Sequence, residues 1–157
     1  MKKLINRFRV RHIDVLIYKM GHYVEFNVPN FGYEIEKARK KNKWCYTIIE
    51  SNIVVHVSYL FDKVFLLKLL KKKGPVIGDC YTNKLYRGRS IYPQVINKIA
   101  FETLNKGIED VFIVVNNNNI PSIKGIEKAG FSKFAAIKGR RWLWFYLKKQ
   151  IVYFENK

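Results

Sequence analysis

Cysteine is nearly absent from this chain, with two in 157 residues, Cys45 and Cys80. Their separation matches no metal-ligand spacing, so no zinc or cluster framework is expected and no metal site is assigned. Residues 1–19 start basic, as a secretion signal does. The apolar stretch 13–18 is too short for one, is broken by Asp14 and leads to no small-residue cleavage site. It reads as a strand of a cytoplasmic protein, in which both thiols stay reduced. No apolar run approaches the ~20 residues that span a bilayer, which leaves only peripheral membrane contact open. Repeats and low-complexity linkers are lacking as well. A length of 157 residues suits one domain with a sizeable core, so residues 1–157 read as a single domain. Acidic residues are scarce, 12 against 30 Lys and Arg, for a net charge of +18. Such an excess implies an anionic partner: a cofactor, a substrate, a nucleic acid or an acidic membrane surface. The basic residues, among them Arg7, Lys37, Lys71 and Arg140, are scattered without a base-reading motif, so nucleic acid is not the expected partner.

What is present divides into strands and helices by its periodicity. Residues 8–18 read as a first strand, 20–31 as irregular and 33–42 as a short helix with a basic end. Residues 44–50 and 53–61 are two strands joined through Ser51-Asn52, hence a hairpin. Alternation puts Val54, His56, Ser58 and Leu60 on one face and Ile53, Val55, Val57 and Tyr59 on the other, which makes His56 a half-buried strand histidine before it is a catalytic base. Residues 62–73 suggest a short amphipathic helix capped by Asp62, with Val64, Leu67 and Leu70 on one face. Residues 76–82 form a strand, 93–105 a helix with Val95, Ile96, Ile99, Ala100 and Leu104 inward, and 111–115 a continuously apolar, buried parallel strand. Asn119 caps a further helix that Gly130 stops. A closing hairpin runs over 131–137 and 141–154 through Lys138-Gly139-Arg140. The sum is an α/β chain with a mixed sheet.

Residues 78–131 organise the rest. A strand enters the turn Tyr86-Arg87-Gly88-Arg89-Ser90-Ile91-Tyr92, and Pro93 follows in the first turn of a helix. A helix start offers unpaired amides and the positive end of a dipole, which together suit a phosphate. Two arginines add forked donors. Arg87-Gly88-Arg89-Ser90-Ile91-Tyr92 resembles the coenzyme A pyrophosphate loop of the GNAT superfamily of acyltransferases, Q/R-x-x-G-x-G/A. Asn119-Ile120-Pro121-Ser122 with Glu127-Lys128-Ala129-Gly130-Phe131 resembles that family's later motif, an asparagine, a small residue three on and a helix closing in Gly-Phe. The resemblance spans residues 44–131. Ser90 and Tyr92 depart from it by replacing the loop's glycines. Serine fits if its φ stays negative, and the Tyr92 ring must point away from the phosphate or line the pantetheine channel.

The resemblance implies a GNAT-like mixed central sheet with splayed parallel strands and flanking helices, and acetyl-CoA as cosubstrate. Pantetheine would pair with the backbone of Cys80, Tyr81 and Thr82. Pyrophosphate would lie on Arg87, Gly88, Arg89, Ser90, Ile91 and Tyr92, and Asn119 and Ser122 would complete the cofactor site. The reaction implied is direct attack of an amine on the thioester, its carbonyl held by an amide near Tyr81 or Thr82. The family's usual acid, a tyrosine seven residues after the asparagine, is Ile126 here. Tyr81, Tyr92, Ser122 or a water are the substitutes, and Asp79 is the nearest carboxylate for a base. The implied function is an acetyl-CoA-dependent N-acetyltransferase. The acceptor expected is a small anionic amine, such as a nucleotide- or lipid-linked amino sugar, since the loop and helix ending are similar to a polysaccharide-biosynthesis branch. The aromatics Trp44, Tyr46, Trp142 and Trp144 could flank it. A protein or peptide N-acetyltransferase and a catalytically silent CoA-binding module are the alternatives.

Overall fold

Branched and aromatic side chains favour extended backbone where they alternate with polar ones, and the two stretches with apolar residues at helical spacing favour helix. The computed structural model describes residues 10–142 and 145–154. In chain order it holds β1 (Arg11–Met20), β2 (Glu36–Lys40), β3 (Lys43–Glu50), β4 (Ile53–Phe61) and β5 (Val76–Thr82). These are followed by helix α1 (Ile91–Leu104), β6 (Val111–Asn116), helix α2 (Ile120–Lys128), β7 (Ser132–Trp142) and β8 (Phe145–Tyr153). The strands form one sheet in the order β2-β3-β4-β5-β6-β1-β7-β8. Among the described strands only β5 and β6 pair in parallel, joined by the α1 crossover.

Both sheet faces are covered. On one, Val95, Ile96, Ile99 and Ala100 of α1 are fully buried against Tyr18, Tyr46, Ile77 and Ile113. On the other, Leu66, Leu67 and Leu70 pack on Ile17, Phe112 and Ile137. Burying each such side chain contributes about 1.5–3 kcal/mol, so the sheet is held mainly by its two apolar layers. Strand β6 serves both, Phe112 facing one layer and Val111 and Ile113 the other, which is why its sequence is continuously apolar. Residues 21–35 are irregular, a longer stretch than the 20–31 expected, and are tied to α1 by side chains. Buried Asn97 donates to the Val24 and Ala129 carbonyls at 2.7 and 2.9 Å, and Gln94 accepts from the Val28 amide at 3.1 Å.

Four local readings are corrected. Residues 33–42 hold no helix; Glu36–Lys40 is the edge strand β2. The ladder to β3 decides it, with Lys37 and Arg39 laid over the Trp44 ring at 4.8 and 5.2 Å. In residues 62–73 only a 3-10 turn forms, Phe65–Leu70, and Asp62 caps nothing because Arg39 holds its carboxylate bidentately at 2.8 and 2.6 Å. Lys138, Gly139 and Arg140 lie inside β7, which runs on to Trp142. Strict alternation in β4 fails at Val55, where a register shift against β3 buries Val55 and His56 together. The first strand begins at Arg11 and reaches Met20; Phe8 and Arg7 lie outside the described residues.

One irregularity shapes the site. β5 pairs with β6 only at Val76 and Ile77, opposite Phe112 and Ile113. Its pairing with β4 then jumps from Tyr59–Gly78 to Val57–Tyr81, so Asp79 and Cys80 stand against Ser58 alone. Asp79 has φ 49°, the left-handed residue of a β-bulge. A bulge bends its strand and sharpens the twist. Past it β5 follows β4 while β6 stays on β1, and the two parallel strands splay.

Candidate cofactor cleft

Where the parallel strands part, a cleft of about 560 Å³ opens. Cys80, Tyr81 and Thr82 form one wall, and their edge toward β6 carries no ladder partner. The loop and the first turn of α1 form the end, through Arg87, Gly88, Ser90, Ile91 and Tyr92. Asn119, Ser122 and Gly125 of α2 close the other side. Sequence neighbours and distant residues are thus brought to one concave surface, the usual form of a small-molecule site.

The loop's shape follows from its residues. Asn83 caps a short 3-10 turn, Lys84–Tyr86, by accepting from the Leu85 amide at 3.1 Å. Arg87 Nε then donates to the Thr82 carbonyl at 3.1 Å and pins the loop to the end of β5. Gly88 has φ 80°, a conformation that glycine takes without strain, and a Cβ there would meet nothing within 4 Å. Ser90 has φ 57°, not the negative value expected of serine, and its side chain makes no helix cap. Its Oγ accepts instead from Lys128 Nζ at 2.7 Å. Among the described residues, the amides of Gly88, Ser90, Ile91 and Tyr92 make no hydrogen bond to protein. Free amides on a left-handed turn at a helix start are a nest for an anion.

Beneath the wall runs a buried polar chain. His56 is wholly inaccessible, its Nδ1 2.7 Å from Thr82 Oγ1 and its Nε2 2.7 Å from Ser58 Oγ. Burial without a carboxylate lowers its pKa to about 4, so the imidazole is neutral near pH 7. Burial likewise pushes the Cys80 thiol up to about 12, despite the Ser58 hydroxyl beside it. Cys80 therefore keeps its proton near neutral pH. The Tyr92 ring packs over this chain, 6.2 Å from the His56 ring centroid, and burial raises its pKa well above the ordinary tyrosine value.

The expected site residues are thus mostly assembled, with two exceptions. Asp79 is exposed at the bulge and does not line the cleft. Arg89 turns away, its guanidinium donating to Tyr33 Oη at 3.2 Å over the Tyr86 ring. Of the acceptor aromatics, Tyr46 is core, its hydroxyl donating to Glu102 at 3.2 Å, and Trp44 lies under a layer of cations. Neither lines the cleft. Trp144 and the side chain of Trp142 lie outside the described residues. Sequence reasoning missed Lys128 and Gly125. Lys128 stood only inside the later motif with no role of its own, and Gly125 only as a glycine inside a helix with no evident reason to be there.

A solved structure from Novosphingobium aromaticivorans DSM 12444, named as a candidate acetyltransferase of the GNAT family, is similar to this chain. The TM-score is 0.58 and the identity 14%, over 81% of this chain and 64% of that one. The fold is GNAT-like. The chain spans 64% of that neighbour's length, and at 14% identity the likeness concerns the backbone path alone. No protein-family model and no curated protein matches the sequence. In this GNAT-like fold the cleft occupies the gap between the splayed parallel strands, at the carboxyl end of β5, where open α/β sheets place their ligands.

Proposed function

We propose that the protein is an acetyl-CoA-dependent N-acetyltransferase, with a small anionic amine as acceptor. The observation that carries the cofactor is the continuity of one surface. An unpaired strand edge at residues 78–82 leads directly to a loop of unbonded amides at the start of α1. An extended amide-bearing arm suits the first, and a pyrophosphate suits the second. In this reading Gly88, Ser90, Ile91 and Tyr92 hold the pyrophosphate by their backbone, and Lys128 adds the nearest cation. Cys80, Tyr81 and Thr82 pair with pantetheine, and Asn119 and Ser122 face it from α2. An amide near Tyr81 or Thr82 polarises the thioester carbonyl. A Cys80 thiol whose proton is held by burial favours direct transfer over an acyl-enzyme.

The charge supports an anionic acceptor, such as an amino sugar carried on a nucleotide or lipid phosphate in polysaccharide synthesis, because +18 exceeds what one coenzyme needs. A catalytically silent CoA-binding module is the second reading, favoured by Ile126, which is fully buried and offers no acid to the cleft. Calorimetric titration with acetyl-CoA tests both. Gly88→Val forces a branched residue to positive φ and should weaken binding by roughly tenfold or more at about 1–2 kcal/mol of backbone strain. Lys128→Gln should weaken it by about fivefold through loss of a charge-assisted contact. Absence of binding at millimolar acetyl-CoA would remove the assignment, and binding without turnover on any amine would favour the silent module.

A further inference from the structure

The helix that would ordinarily carry the proton donor has none, and a different element fills the space. Tyr92 leaves the first turn of α1 and lays its ring against Gly125 of α2. A Cβ on Gly125 would stand 2.7 Å from Tyr92 Cδ1 and 3.0 Å from Cε1, so the absence of a side chain at 125 is what seats the ring. Its other side approaches His56, and Cys80 is close enough to raise its pKa further. No protein group among the described residues bonds the Tyr92 hydroxyl. Yet none of the described buried side-chain oxygens is left unpaired, so this hydroxyl opens into the cleft that Tyr92 lines. A ring seated against Gly125 and near His56, with an unbonded O–H at the cleft beside the bulged strand, is a positioned donor awaiting an acceptor.

On the cofactor reading above, we propose that Tyr92 is the catalytic residue that protonates the departing coenzyme A thiolate. The amine lone pair forms the C–N bond, and the tetrahedral intermediate collapses with the C–S electron pair leaving on sulfur. The Tyr92 proton passes to that sulfur. Water in the cleft takes the surplus amine proton and returns one to the phenolate, so protons balance over the cycle. Burial of the ring keeps the proton on Tyr92 until a thiolate develops beside it. Tyr81 is a weaker candidate because it is 50% exposed.

The test is a crystal of the protein with coenzyme A, together with transfer of acetyl from acetyl-CoA to hydroxylamine, a nucleophile that needs no acceptor pocket. The sulfur should lie within about 3.5 Å of Tyr92 Oη. Tyr92→Phe should leave the coenzyme A Kd within about twofold while lowering kcat by roughly 100-fold. Gly125→Ala, which displaces the ring, should lower kcat in the same direction. Coenzyme bound with its sulfur more than about 5 Å from Oη, or kcat in Tyr92→Phe within about threefold, overturns the proposal and leaves the cofactor reading standing. Failure of coenzyme A to bind at all overturns both.

Discussion

His56 shows how far a single residue's environment departs from what its strand position predicts. Periodicity gives it a sheet face and half burial. Alternation reports Ser58 as a neighbour on the same face, but full burial also needs the Tyr92 ring and the Thr82 hydroxyl, which are distant in sequence and which alternation cannot report. The consequence is a pH-dependent stability. The folded pKa, about 4, lies below the ordinary 6.5. Below pH ~6.5 the unfolded chain takes up a proton that the folded chain refuses, so stability falls as pH drops from ~6.5 to ~4, by about 3 kcal/mol. Denaturant melts of His56→Gln, which keeps hydrogen-bonding capacity without titrating there, should lose that slope. A variant that retains the full wild-type slope over this window would place the titration elsewhere. Ser90 makes the same point from backbone geometry. Serine in the loop is expected at negative φ, whereas its positive φ and its bond from Lys128 depend on where α2 ends.

Elements were legible where their own residues dictate them and illegible where a neighbour does. The helices α1 and α2, the β3–β4 hairpin and buried β6 carry their period or apolar run within themselves. Strand β2 does not. Its residues Glu36–Lys40 are all exposed, and only the ladder to residues 43–47 of β3 and the cations lying over Trp44 and Tyr46 extend them. The splay was available only through resemblance, because nothing in Asp79 announces a bulge. Helix α2 gives the element-scale prediction. Asn119 Oδ1 accepts from the Ser122 amide at 3.3 Å, so Asn119→Ala should cost about 1 kcal/mol as a lost cap. Ile126 is core, fully buried with Val95, Ile99 and Phe131. Ile126→Ala should cost about 2–4 kcal/mol of stability through its cavity. Turnover per folded molecule should remain within about tenfold, since the side chain offers the reaction nothing. A large loss of kcat in a variant that still melts cooperatively would mean that α2 does take part in the chemistry.

At the scale of the molecule, the charge is held in an unusual way. Among the described residues three carboxylates form ion pairs, Asp110 with Lys19, Glu102 with Lys37 and Asp62 with Arg39. Aromatic faces take other cations: Lys43 stands 3.8 Å over Tyr59, and Lys106 5.6 Å over Trp44. A ring quadrupole stabilises a cation without cancelling its charge, so the positive field reaches solvent and the cleft. That field should show first in association kinetics. Screening shortens from ~10 Å at 0.1 M salt to ~3 Å at 1 M, so the on-rate for acetyl-CoA measured by stopped flow should fall by roughly tenfold over that range. A phosphate-free acetyl-pantetheine should show no such dependence, and equal slopes for the two would remove the steering argument. The same field discriminates among acceptors. In a transfer screen of phosphorylated amino sugars, free amino sugars, polyamines and basic peptides, the phosphorylated amines should have the lowest KM, rising with salt. Polyamines and basic peptides carry the wrong sign and should be the poorest. Turnover confined to those cations would refute the anionic acceptor and leave the acetyltransferase reading intact.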